Sequence, residues 1–176
     1  MKILVVVDMQ NDFIDGALGT PEAVEIVDRV RAKAEQYQKD GDCVIYTRDT
    51  HPENYLETQE GRKLPVVHCV EGTKGWEIAD KVYLQGCEVL DKPTFGSIAL
   101  AERVASLCEA NEVTSVELVG LCTDICVISN ALLLKARLPE LPILVDASCC
   151  AGVTRVSHQN ALDAMKMCQI EVYSEE

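Results

Sequence analysis

Cys126 lies in the run GLCTDICV (120–127), directly after an apolar stretch and at the start of a segment with helical spacing. Thr123 and Asp124 both suit the helix cap, which puts the Cys126 sulfur in the first turn, where the helix dipole favours a thiolate. A thiolate held there is a nucleophile for acyl transfer, and backbone N–H groups of the turn point toward the space where an oxyanion would develop. Such chemistry needs a cation and a proton carrier. Lys92, beyond the apolar run 87–90, would lower the thiol pKa, and Asp8, closing the apolar block 3–7, would take and return the proton. The plainer reading of a cysteine is a small buried hydrophobe, and for most of the nine in this chain that reading stands.

A second group follows the next strand-like run. In Asp49-Thr50-His51-Pro52 the proline biases His51 toward extended backbone, where residues i and i+2 share a face, so a carboxylate and an imidazole point the same way. His68 adds a second imidazole from the same long region, and Glu57 or Glu60 would add another oxygen. Two histidines with one or two carboxylates suit Zn, Mn or Fe and leave positions open for water or substrate; otherwise these are polar residues on a surface loop. A four-thiolate zinc site from Cys122, Cys126, Cys149 and Cys150 is disfavoured, because no CxxC pair is present. His158, inside a predicted helix, reads as a surface or packing residue. Phe13, Phe95 and Trp76 all fall in strand-end loops, which suits the walls of a pocket for a flat apolar ligand.

These residues need a frame. Strands are expected over residues 3–7, 43–47, 87–90, 115–119, 142–145 and 170–173, and helices over 21–39, 97–110, 124–137 and 155–167. Thr20 and Pro21 mark the start of the first helix, and the unbroken β-branched block 3–7 reads as a strand buried on both faces. The β/α alternation predicts a three-layer αβα sandwich around a mostly parallel six-stranded sheet with right-handed crossovers. Residues 48–86 show little periodicity, and a stretch that long is more often functional than idle. With a strand order of 3-2-1-4-5-6 the reversal of order would lie between the first and fourth strands, so Asp8 and Cys126 would flank the ligand crevice. Dinucleotide binding is excluded there, because Asp8-Met9-Gln10-Asn11-Asp12 occupies the turn that would need GxGxxG.

The chain of 176 residues, 48% hydrophobic, suffices for one core and is short for two, so one domain over 1–176 is expected. With 29 acidic against 16 basic residues and a net charge of −13, nucleic acid and anionic membrane surfaces are excluded as partners. The first apolar run is too short for a signal peptide or a membrane span, which points to a cytoplasmic protein whose odd number of cysteines stays reduced.

In order along the chain, VDMQNDF (7–13), TRDTH (47–51), PVVHCVEG (65–72) leading to Gly75-Trp76, KPTFGS (92–97) and GLCTDICV (120–127) resemble the isochorismatase-like cysteine hydrolases, nicotinamidases above all. The resemblance implies a Rossmann-like isochorismatase-type fold and a triad of Asp8, Lys92 and Cys126. It implies a divalent metal, Zn ahead of Mn or Fe, on Asp49, His51 and His68, with Glu60 ahead of Glu57 as fourth ligand. It further implies a cis peptide between Leu121 and Cys122 that turns the N–H groups of Cys122 and Cys126 into an oxyanion hole, and Phe13 and Trp76 around a substrate ring. The activity implied is hydrolysis of nicotinamide to nicotinate and ammonia in pyridine nucleotide salvage, by a homo-oligomer acting on a small amide. A carbamoyl or ureido amidohydrolase would keep the triad and often lack the metal. Isochorismate hydrolysis dispenses with the cysteine. A thiol redox or metal-sensing protein, with Cys122 or Cys149 as resolving partner, would leave Lys92 and the aromatics without a role.

Overall fold

Residues Ile3 to Val7 are wholly buried, which requires a covering layer on each face of the strand they form. The computed structural model, which describes residues 1–174, provides both. Its elements are β1 (Lys2–Val7), α1 (Asn11–Ile14), α2 (Pro21–Glu25), α3 (Val27–Lys39), β2 (Cys43–Asp49), α4 (Gln59–Lys63), β3 (Glu88–Lys92), α5 (Ile98–Ala110), β4 (Ser115–Leu121), α6 (Ile128–Arg137), β5 (Ile143–Ala151), α7 (Arg155–Met167) and β6 (Glu171–Tyr173). A 3-10 turn (Tyr55–Glu57) and a π-helical turn (Thr123–Val127) complete the set. The six strands lie in the order β3-β2-β1-β4-β5-β6 with every pairing parallel, so the sheet is wholly rather than mostly parallel.

Alternate residues of the central strands divide the core into two layers. Leu4, Val6, Tyr46 and Val119 pack under α2 and α3 through Ala23, Ile26, Val30 and Ala34. Ile3, Val5, Val7 and Leu118 pack under α5, α6 and α7 through Leu100, Val104, Ala131, Leu134 and Met165. At Gly120 (φ +113°) a β-carbon would stand 2.2 Å from the Val7 carbonyl oxygen, so the close approach of β4 to the end of β1 admits glycine alone. Among the described residues no helix is long and apolar enough to cross a membrane.

Three expectations needed adjustment. The helix over 21–39 breaks at Ile26, whose N–H bonds back to the Val24 carbonyl. The strands at 43 and 87 run two residues further, to Asp49 and Lys92, so these chemically capable side chains belong to strands and not to loops. The fifth strand continues to Ala151 through the polar residues Asp146 and Ser148, with a register shift against β4 between Leu118 and Gly120. All nine cysteines are free, but only Cys69, Cys126, Cys149 and Cys150 are buried, and Cys168 is exposed.

The polar face of β5 belongs to a buried charge cluster beneath α3. Lys33 Nζ lies 2.9 Å from Glu117 Oε1 and 2.8 Å from Asp146 Oδ2, and donates to the Tyr173 hydroxyl at 2.9 Å. Tyr173 and Tyr37 both donate to Glu117, and the Ser148 hydroxyl donates to Asp146 Oδ1 at 2.6 Å. Burial opposes the Asp146 carboxylate, but Lys33 and Ser148 outweigh it and hold the carboxyl below its usual value. A group with a depressed native pKa adds stability that is complete above its unfolded value, ~3.9, and is lost as pH falls through the native value. Lys33→Met leaves Glu117 and Asp146 without their cation and is expected to lower unfolding stability by about 3 kcal/mol at pH 7. The loss should shrink below pH ~4, and urea midpoints measured across that range check both expectations.

Candidate active site

Parallel strands of one sheet end together, and Asp8, Asp49 and Lys92 stand at the carboxyl ends of β1, β2 and β3. Asp8 adopts φ +47°, a left-handed conformation that aspartate tolerates better than most residues. Its N–H meets the Thr47 carbonyl at 3.2 Å, and the Thr47 hydroxyl donates to its Oδ1 at 2.6 Å. The other carboxylate oxygen pairs with Lys92 Nζ at 2.6 Å, and both side chains are fully buried. Lys92 Nζ also contacts Cys126 Sγ at 3.4 Å, the Thr94 carbonyl at 3.1 Å and Asp49 Oδ1 at 3.6 Å.

Cys126 is the fourth residue of the π-helical turn that follows β4. The Ile125 and Val127 N–H groups both donate to the Cys122 carbonyl, at 3.0 and 3.1 Å, and the Leu121–Cys122 peptide is cis. Neither predicted cap serves as one, since position N-cap belongs to Cys122 with no side-chain bond. The Asp124 carboxylate instead accepts the Val153 N–H at 3.1 Å, and the Thr123 hydroxyl bonds His158 Nδ1 at 2.8 Å, fastening the turn to the β5–α7 connection and to α7 itself. Burial lifts the Cys126 thiol well above its usual value, and the Asp8 carboxylate adds to this against the pull of Lys92. Burial thus opposes the thiolate that the helix dipole and Lys92 would favour. Burial likewise raises the Asp8 carboxyl, with Lys92 opposing it, whereas Lys92 is lifted despite burial by the anions around it and stays an ammonium.

The buried Asp49, His51 and His68 bring their ligand atoms within 4.8 Å of one another. The His51–Val70 bridge, with His51 N–H on the Cys69 carbonyl at 2.9 Å, lays the two histidine-bearing segments side by side. His68 Nδ1 meets the Val66 carbonyl at 2.7 Å and so carries the proton, which leaves the Nε2 lone pair free. His51 Nε2 lies 2.9 Å from Asp49 Oδ2 and 3.6 Å from Glu60 Oε1, yet it is buried and makes no hydrogen bond among the described residues. His68 Nε2 lies 3.8 and 3.9 Å from the same two oxygens. Two imidazole nitrogens and the Asp49 carboxylate thus converge on one space, a donor set that fits a divalent ion, and Glu60 Oε1 stands at its margin. Of the two glutamates, Glu60 is the one that approaches this group, whereas Glu57 lies exposed and accepts from Asn54 Nδ2 at 3.1 Å.

Cys126, Asp49, Glu60 and His68 all open on a cavity of about 540 Å³ whose apolar walls include Phe13, Phe95, Leu121, Ile125 and Val153, with Cys122 also at its edge. Trp76 departs from expectation. It does not line this cavity: its ring lies 3.4 Å beneath the Arg48 guanidinium carbon, and its indole N–H donates to the Thr50 hydroxyl at 2.9 Å. Sequence reasoning passed over Thr47, Gln10 and Asn130. Gln10 holds Asp49 by both backbone groups at 2.8 Å and also donates to the Trp76 carbonyl at 2.8 Å. The available signals were a polar residue two places beyond Asp8 and another four beyond Cys126 on the same helix face.

The isochorismatase domain model matches residues 2–176, and the chain belongs to the isochorismatase family of hydrolases. The nicotinamidase of Schizosaccharomyces pombe is 28% identical over 207 residues, covering 98% of this chain and 92% of that protein. That of Saccharomyces cerevisiae is 31% identical over 109 residues, 47% of this chain and 50% of the yeast protein, so this match spans only half of its length. Among solved structures, the Pyrococcus horikoshii pyrazinamidase in complex with zinc superposes with TM-score 0.84 at 28% identity, covering 99% of both chains. The Thermoplasma acidophilum N-carbamoylsarcosine amidase does so with TM-score 0.81 at 28% identity over 98% of this chain and 95% of that one.

The two glutamates give opposite expectations for metal binding. After dialysis against Zn²⁺ and then metal-free buffer, Glu60→Gln should retain zinc at least ~tenfold more weakly than the unsubstituted protein, and Glu57→Gln should match it. Zinc content by elemental analysis in competition with a chelator decides between them.

Proposed function

We propose that the protein hydrolyses nicotinamide to nicotinate and ammonia through a thioester on Cys126. The observation that carries this is that Cys126, touching the buried Asp8–Lys92 pair through Lys92 Nζ, opens on the same apolar cavity as Asp49, His68 and Glu60, with His51 against Asp49 behind them. The similarity to nicotinamidases and to a zinc-bound pyrazinamidase supports the choice of substrate.

The Cys126 thiol gives its proton to the Asp8 carboxylate as the sulfur attacks the carboxamide carbon. Lys92 stays charged throughout, holding Asp8 in place and lowering the cost of the negative sulfur. The N–H groups of Cys122 and Cys126 receive the oxyanion. Asp8 then passes the proton to the nitrogen, the C–N bond breaks and ammonia leaves. Water attacks the thioester carbon, gives a proton to Asp8, and the departing sulfur recovers it, which restores the starting state. Phe13 and Phe95 flank the ring and exclude water from the acyl carbon. Asp49, His51, His68 and Glu60 would hold a divalent ion, zinc in our reading, and such an ion would supply Lewis-acid chemistry beside the substrate ring.

The likeness to N-carbamoylsarcosine amidase favours a second reading, in which the same triad cleaves a carbamoyl group. That reading gives the four converging donors no task. A thiol sensor would leave the buried Asp8–Lys92 pair without one.

Nicotinamide should be turned over at least ~100-fold faster than benzamide, which has the same shape but no ring nitrogen, a difference of ~3 kcal/mol. Ammonia release from nicotinamide, benzamide and a ureido acid is the measurement, and turnover of the ureido compound alone would select the second reading. Cys126→Ala should reduce turnover by ~10³-fold or more while shifting the melting temperature by only a few degrees, because the sulfur supplies the covalent step and little volume.

A further inference from the structure

Asn130 is completely buried on α6, four residues beyond Cys126, and no step of the proposed reaction uses it. Its Nδ2 donates to the Cys126 carbonyl at 2.8 Å and to the Phe95 carbonyl at 3.2 Å, while its Oδ1 accepts the Ser97 N–H at 2.8 Å. One side chain thus joins the nucleophile's turn to residues 93–97, the segment that follows Lys92. That segment is itself tied to the site. Its Thr94 carbonyl accepts from Lys92 Nζ at 3.1 Å, Pro93, Thr94 and Phe95 line the cavity, and the Ser97 hydroxyl caps α5 by accepting the Leu100 N–H at 3.1 Å. At Gly96 a β-carbon would stand 2.6 Å from Leu133 Cδ1 and 3.2 Å from the Ser129 carbonyl oxygen, so the segment lies directly on α6.

A buried amide whose two donor bonds and one acceptor bond are all made resists displacement, because any shift leaves a polar group unsatisfied where no water compensates it. We propose that Asn130 is a positioning residue for the reaction: it locks the Cys126 turn to the Lys92–Ser97 segment and so sets the 3.4 Å contact between Lys92 Nζ and Cys126 Sγ. The proposal rests on the reading of Cys126 as nucleophile.

Two substitutions test the strut in parts. Asn130→Asp keeps volume and the acceptor for Ser97, but turns an oxygen toward the Cys126 and Phe95 carbonyls. Asn130→Thr retains a hydroxyl able to bond the Cys126 carbonyl one turn back, and reaches neither Phe95 nor Ser97. Two readouts are taken on protein shown by circular dichroism to be folded at 25 °C. One is the rate of iodoacetamide labelling of the Cys126 peptide, which needs no substrate; the other is kcat and KM for nicotinamide. Labelling and kcat should both fall by about tenfold or more in Asn130→Thr, corresponding to ~1.4 kcal/mol, with KM changed less than kcat. Asn130→Asp should fall further, and if it does not fold, Asn130→Thr decides alone. Wild-type labelling and kcat in a variant that merely melts earlier would overturn the proposal, as would faster labelling. Slower labelling of the variants, with no nicotinamide turnover by the unsubstituted protein, would uphold Asn130 and overturn the substrate.

Discussion

The ammonium of Lys92 is almost completely buried, and a charge so placed is tolerated only where its surroundings replace the lost water. Here they are Asp8 at 2.6 Å, the Thr94 carbonyl at 3.1 Å and Asp49 at 3.6 Å. Meeting that requirement depends on strand order. Lys92 ends β3 and is paired in register with Asp49 on β2, and its long stem crosses β2 to reach Asp8 on β1. Cys126 arrives from the other side, after β4, the second neighbour of β1. A slip of one residue in either ladder would turn these side chains to the opposite face and leave a buried charge unpaired, so the site and the register stabilise each other.

Two influences of opposite sign act on the Cys126 sulfur, and their sizes decide the resting state. A helix terminus stabilises a nearby anion by roughly 0.3–1 kcal/mol and its field fades within a turn, whereas full burial can displace a pKa by about 3–5 units. Burial wins, with the Asp8 carboxylate on its side. In the proposed reaction a thiol beside a carboxylate is a donor with its acceptor at hand, so the proton lost on attack would have a destination within the triad and need not be exchanged with solvent. In that reaction Lys92 then has a task different from making a standing thiolate: it would hold the carboxylate in place and stabilise negative sulfur only while that charge exists.

The sequence made most of the frame legible, for physical reasons. β1 announced itself as an unbroken β-branched block, and the strand-end positions of Asp8 and Lys92 followed from the alternation of periods. β5 was read too short, because Asp146 and Ser148 interrupt its apolar pattern to meet Lys33, a partner on α3 that no local window contains. The choice between Glu57 and Glu60 lay beyond spacing for the same reason: the short turns over Tyr55–Glu57 and Gln59–Lys63 aim the two glutamates in different directions. Trp76 misled because a large aromatic in a loop suits a pocket wall and a cation–π stack equally well, and only the position of Arg48 separates them. Asn130 was visible as a polar residue one turn beyond Cys126, but its other partners, Phe95 and Ser97, come from a segment more than thirty residues away.

The two halves of the site are built on different kinds of structure. Asp8, Lys92 and Cys126 belong to strand ends and the turn after β4, whose geometry the parallel ladders fix. His51, His68 and Glu60 belong to the connection between β2 and β3, held by the His51–Val70 bridge and by the grip of Gln10 on the Asp49 backbone and the Trp76 carbonyl. A change in that connection would alter what lies opposite the sulfur without moving the triad, because no sheet ladder runs through it. Superposition with both a zinc-bound pyrazinamidase and an N-carbamoylsarcosine amidase at nearly equal TM-scores, 0.84 and 0.81, is what such a division produces, since overall shape reports mainly the sheet and its helices. In the proposed reaction, substrate choice therefore depends on the donors gathered beside Asp49 and not on the fold that carries them.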